Sequence, residues 1–163
     1  MAERFDVVFR GGTVVNHDGI GARDVGVLAG RIAALGAIPA GSGAREIDCR
    51  GLHVLPGGID SQVHFREPGL DHKEDLKTGA DAAVMGGVTA VFEMPNTDPL
   101  TTSHAAFDDK IARATGRMSC DFAFWFGGTR ENIDILAEAE RRPGCAGIKV
   151  FMGSSTGSLL VED

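Results

Sequence analysis

The sequence predicts an α/β protein in which a small β segment precedes a parallel sheet of alternating strands and helices. Two observations carry this. Glycine and small polar residues cut the first third of the chain into short β-prone runs. After Pro56-Gly57-Gly58 the rhythm changes, and apolar runs alternate with segments of helical period. The 23 glycines among 163 residues fit a chain with many tight connections.

In order, residues 5–9, 13–16, 24–28, 31–35, 45–49 and 52–55 read as strands. Their spacing and turn residues predict a small antiparallel sheet over residues 1–56. The small-residue stretch 40–44 reads as a loop. In the second domain, 57–163, residues 59–65 form the first strand and end in polar residues. A helix follows over 73–85, with Leu76, Ala80, Ala83 and Val84 at helical spacing. Residues 88–94 are the next strand. Residues 101–114 place Phe107, Ile111 and Ala114 on one helical face behind Thr102 or Ser103 as a cap. Residues 119–126 are apolar enough for a parallel strand covered on both faces. Thr129 caps a third helix whose Ile133, Leu136 and Ala137 face inward. Residues 146–151 are a fourth strand, and 153–157 a polar loop after it.

Four strands alternating with three helices imply a parallel sheet. At about 30 residues per βα unit, 57–163 holds roughly three and a half units. A closed eight-stranded barrel needs on the order of 250 residues, so the second domain is a small open sheet or part of a barrel.

With 16 Lys+Arg against 23 Asp+Glu, the net charge of -7 argues against a partner bound through a nucleic-acid backbone. No apolar run approaches the roughly 18 to 20 residues of a membrane span, and the first ten residues lack the apolar core of a signal peptide. A soluble, cytoplasmic protein without a membrane partner is expected. Cys49, Cys120 and Cys145 are odd in number and widely spaced, as free thiols in a reducing compartment would be.

In parallel architectures the chemistry collects at the carboxyl ends of the strands. Gln62, His64, Arg66, Glu67, Pro68 and Gly69 follow the first strand, and Met94-Pro95-Asn96-Thr97-Asp98-Pro99 the second. Gln62 and His64 are two apart, so on one strand they share a face and can point at one ion. His64 is a metal ligand or a packed histidine. Lys149 sits in the apolar run Gly147-Ile148-Lys149-Val150-Phe151, where a buried ammonium is costly unless it is paired, neutral or snorkelling outward. Arg66 holds a substrate carboxylate or pairs with a surface acid. Asn96 donates to the same carboxylate or stabilises its own turn. The serines and glycines of 153–157 lack the P-loop spacing.

The stretch Gly57-Gly58-Ile59-Asp60-Ser61-Gln62-Val63-His64-Phe65-Arg66-Glu67-Pro68-Gly69 resembles the dihydroorotase signature of the amidohydrolase superfamily, Asp-x-His-x-His-x-Arg-x-Pro-Gly. Gly86-Gly87-Val88-Thr89, Met94-Pro95-Asn96-Thr97 and Lys149-Val150-Phe151-Met152-Gly153 follow in the family's order, and residues 5–55 are similar to its N-terminal β segment. The resemblance implies the N-terminal part of a metal-dependent (β/α)8 TIM barrel, about four strands and three helices, preceded by a small β-sandwich segment. It implies one or two zinc ions, with His64 as a ligand and Lys149 carboxylated by carbon dioxide to bridge two metals. It implies that Arg66 and Asn96 hold the substrate carboxylate, and that the reaction is reversible hydrolysis of dihydroorotate to carbamoyl-aspartate in pyrimidine synthesis. Allantoinases and hydantoinases resemble the same stretch but usually lack the arginine, which favours dihydroorotase.

Two departures qualify this. Gln62 stands where the family has a metal-binding histidine, and an amide oxygen is a weak zinc ligand. The further metal histidines, and the aspartate that serves as acid and base, would lie beyond Asp163, so no catalytic acid or base is assigned within the chain. An open half-barrel leaves a strand edge and helix faces unpaired, so a homo-oligomer or a complementing chain is expected. A catalytically inactive assembly subunit is the alternative to a truncated enzyme.

Overall fold

The computed structural model describes residues 4–153 and 159–161. The chain divides into two compact units, Met1–Pro56 and Gly57–Asp163. No helix among the described residues is long and apolar enough to cross a membrane.

The first unit is one five-stranded mixed sheet. Its strands are β1 (Phe5–Asn16), β2 (Gly19–Leu28), β3 (Arg31–Gly36), β4 (Gly43–Asp48) and β5 (His53–Val54). The order is β3-β2-β1-β4, with β5 also on β1. The expected wholly antiparallel sheet is corrected here, because β4 and β5 both run parallel to β1. The expected runs 5–9 and 13–16 are one strand. Between Phe9 and Gly12 an extra residue bulges out of register with β2, and Gly11, at φ 67°, supplies the left-handed backbone that such a bulge needs. The Gly11 N–H donates to Asp24 Oδ1 at 2.8 Å. Arg10 then ties three segments together, bonding Asp24 at 2.9 Å, Glu46 Oε2 at 3.1 Å and the Pro39 carbonyl at 2.7 Å.

The second unit is a parallel sheet in the order β6-β7-β8-β9. Its strands are β6 (Gly58–Val63), β7 (Val88–Glu93), β8 (Asp121–Gly127) and β9 (Cys145–Lys149). Helix α1 (Leu76–Met85) joins β6 to β7, and α2 (His104–Ala114) joins β7 to β8. Each starts where a side chain satisfies an orphan N–H: Asp75 accepts from Thr78 N, and Ser103 from Ala106 N. Phe65, Leu76, Val91, Phe107, Ala114, Phe124, Phe126 and Ala139 form the core.

The third helix is far shorter than the sequence predicts. A single 3₁₀ turn, Ile133–Ile135, leads into the four-residue α3 (Leu136–Ala139). Thr129 does not cap it. Its N–H donates to Asn132 Oδ1, while Asn132 Nδ2 donates to the carbonyls of Thr102 and Gly127, all at 2.8 Å. Asn132 therefore holds the chain as a turn where a first helical turn was expected. Strand β8 also departs from its expected two-sided burial. Phe124 and Phe126 are fully buried, but Ala123 and Trp125 on the alternate face are only partly covered. Residues 154–157 of the expected polar loop lie outside the described residues.

Candidate functional site

Parallel strands bring their carboxyl ends to one edge of the sheet, and the segments leaving β6 and β7 are fastened together there. Met94 N–H donates to the Val63 carbonyl and Asp98 N–H to the Pro68 carbonyl, both at 3.0 Å. Gly69 permits the second contact. A Cβ at that position would lie 2.1 Å from the Asp98 carbonyl oxygen, and its φ of 89° is left-handed as well.

Strand β6 ends at Val63, two residues short of the predicted end, so His64 belongs to the segment beyond it. Between Asp60 and Val63, three steps on β6 face two on β7, so Gln62 lies within a bulge of the strand. Gln62 is exposed, and its N–H donates to Asp60 Oδ1 at 3.0 Å. The partner of His64 is Asn96: Nδ1 and Oδ1 are 2.9 Å apart. Asn96 is buried, so its amide is committed at least in part to the imidazole. With Nδ1 carrying the proton, the Nε2 lone pair is left for another group. Burial holds the His64 pKa below the ordinary value against the Asn96 hydrogen bond, and the charges of Arg66, Lys149 and Lys110 push it the same way.

Arg66 is half-buried and adopts φ 68°, a conformation that side chains rarely accept. No acid among the described residues forms an ion pair with its guanidinium. Lys149 is the last residue of β9 and half-buried, with its Nζ 5.1 Å from the centre of the Phe151 ring. It too lacks an acidic partner among the described residues. The site thus presents an imidazole biased to its neutral form beside two cations that form no ion pair with an acid among the described residues.

These residues do not make a zinc site by themselves. One imidazole, an exposed neutral amide and an amine fall short of the three or four anionic or imidazole donors that zinc takes. Among the described residues no group of three His, Cys, Asp or Glu side chains comes together to hold a metal.

Three neighbours carry no assigned role in the sequence-based expectation. Glu67 is buried. It accepts from Arg117 at 2.7 and 3.1 Å and from the Leu76 N–H at 3.0 Å, tying the Arg66 segment to the start of α1 and the end of α2. Glu93, last in β7, and Lys110 of α2 form an ion pair whose side chains are 2% and 1% exposed. Burial raises the Glu93 pKa and lowers that of Lys110, while each charge resists the shift of the other. A signal existed. Lys110 lies three residues after Phe107 and four before Ala114, a charge on the inward stripe of the helix.

Comparison with known proteins agrees with this architecture. The model of the amidohydrolase family matches residues 53–154. An allantoinase of Rubrobacter xylanophilus is 45% identical over 155 residues, 94% of this chain and 34% of that protein. A dihydroorotase of Methanosarcina mazei is 42% identical over 117 residues, 72% of this chain and 25% of that protein. The solved L-hydantoinase (dihydropyrimidinase) of Arthrobacter aurescens superposes with a TM-score of 0.84 at 32% identity, covering 96% of this chain and 35% of its own. The chain therefore spans about a third of the length of these relatives, and its fold is the N-terminal part of their TIM-barrel architecture. Matched over more than half its length, the chain belongs to the amidohydrolase family.

Proposed function

We propose that the chain is the N-terminal part of a hydrolase that opens a cyclic amide, with dihydroorotate as its substrate and carbamoyl-aspartate as its product. The observation that carries the reading is the Arg66 guanidinium, two residues beyond His64 and in no ion pair with an acid among the described residues. A half-buried arginine without an acid receives a planar carboxylate through two parallel hydrogen bonds, and dihydroorotate carries one beside its ring amide. Asn96 Oδ1 meets His64 Nδ1, and in this reading the Asn96 amide stays with Arg66 as part of the carboxylate clamp. Allantoin is the second reading, favoured by the 45% identity to the Rubrobacter allantoinase over 94% of the chain.

Turnover decides between them. The chain, alone and mixed with the complementary C-terminal segment of the Methanosarcina dihydroorotase, is assayed with dihydroorotate, allantoin and hydantoin. Ring opening of dihydroorotate by the mixture, lost in Arg66→Ala, is the expected result. Opening of allantoin alone moves the assignment to the second reading. If no substrate turns over while the dihydroorotase split at the same point is active, the hydrolase reading fails.

A further inference from the structure

The buried ion pair of Glu93 and Lys110 is not used by the chemistry above, yet it lies directly behind the residues that are. Lys110 Nζ, besides pairing with Glu93, donates to the Met94 carbonyl at 3.1 Å and stands 5.0 Å from the centre of the Phe124 ring. The Met94 N–H donates to the Val63 carbonyl at 3.0 Å, and Glu93 is the register partner of Val63. Val63 is followed by His64, and Met94 is followed, after Pro95, by Asn96. One ammonium on α2 thus holds Met94, the residue at which β6 and β7 meet, just before the two residues whose side chains bond across the gap.

We infer that Glu93 and Lys110 are positioning residues for the site: they fix the ends of β6 and β7 so that Asn96 Oδ1 meets His64 Nδ1, and thereby set which imidazole nitrogen carries the proton. A buried pair is a poor source of stability, since an apolar replacement of equal volume often does as well. Its directional contacts, in contrast, admit one register of the two segments. An apolar pair of the same size fills the space and leaves the Met94 carbonyl without its donor. The inference rests on reading His64 and Asn96 as site residues, but its readout is the imidazole itself and not turnover, so it stands or falls separately from the substrate assignment.

The test uses the 163-residue chain labelled with nitrogen-15 in histidine, with the His64 signals identified by their loss in His64→Gln. In the wild type, the ring nitrogens are expected to show a single neutral tautomer protonated at Nδ1. The double variant Glu93→Leu, Lys110→Met is expected to keep the wild-type urea midpoint while its His64 signals shift to a mixture or to the Nε2-protonated form. Lys110→Arg, which keeps both charge and donor, is expected to preserve the wild-type pattern. A double variant that retains the wild-type tautomer overturns the inference, as does a wild type protonated at Nε2. Should the double variant not fold, hydrogen exchange in the wild type decides. The Met94 amide is expected to be protected to within about tenfold of the core Phe124 amide, as in a segment that opens only with the whole unit. Exchange of Met94 through frequent local opening overturns the inference.

Discussion

Glu67 and Arg117 form a two-point ion pair across fifty residues of chain, with Nη1 2.7 Å from Oε1 and Nη2 3.1 Å from Oε2. The carboxylate is 4% exposed and the guanidinium 42%, so the two ends of the pair differ in what they lose. Arg117→Ala leaves a buried carboxylate with the Leu76 N–H as its main remaining donor, and is expected to lower unfolding stability by about 2 kcal/mol, reduced from the fully buried case because solvent reaches Arg117. Arg117→Lys recovers only part of this, since a single ammonium cannot make both bonds. Urea denaturation measures both, and an unchanged midpoint in Arg117→Ala would show that solvent replaces the arginine.

Gly79 of α1 meets the Phe65 ring: a Cβ there would lie 2.5 Å from a ring carbon. In an open helix, Gly→Ala gains about 1 kcal/mol from propensity. Here the added methyl forces the ring out of a packed core, an effect of about 1–3 kcal/mol in the opposite direction. Gly79→Ala is therefore expected to destabilise by about 1 kcal/mol on balance. Combining it with Phe65→Leu should return more stability than the two single effects added together, which a double-mutant cycle on thermal or urea midpoints would show.

The same helix shows what could be read from the chain and what could not. Leu76 and Ala80 follow the helical period and are fully buried, and the strand-helix alternation after Pro56 needs only local pattern. Glycine in the middle of α1 carries no local meaning, because its cause is a ring fourteen residues earlier whose position depends on the packed sheet. The first unit departs from expectation for a related reason. Short runs separated by glycines look like hairpins, yet β4 and β5 reach β1 through non-local pairing that no turn dipeptide announces. At the site, His64, Arg66 and Lys149 stand out as charged or titratable residues at strand ends. The Asn96 contact and the bulge before Val63 depend on register and become visible only in three dimensions.

Acid should loosen the first unit in a defined window. The hydrogen bond from Arg10 holds the Glu46 carboxyl at about 2, and that from Arg50 holds Asp48 at about 2. Depressed native values mean that the unfolded chain binds the protons more readily. The stabilising contribution is therefore fully present above the ordinary carboxylate range, near pH 4.5, and is lost as pH falls toward 2. Thermal midpoints between pH 5 and 2 should fall accordingly. Glu46→Gln, neutral at every pH, should show a shallower decline over that interval, and a slope equal to that of the wild type would remove Glu46 from the account.

Zinc affinity provides the last prediction. His64 offers one nitrogen once Asn96 occupies the other, and the exposed Gln62 has no charge with which to compete against water for a cation. With one imidazole as the only strong donor at the site among the described residues, the site should lose added zinc on dialysis against a mild chelator, since retained zinc needs several converging ligands. Gln62→His replaces a weak oxygen donor by a second imidazole and should tighten binding measurably in competition with a chromophoric chelator. His64→Gln in that background should reverse the gain, because both imidazoles must act on one ion. If Gln62→His leaves the affinity at the wild-type level, the bulge between Asp60 and Val63 turns residue 62 away from His64, and the two positions do not serve a common metal in this chain.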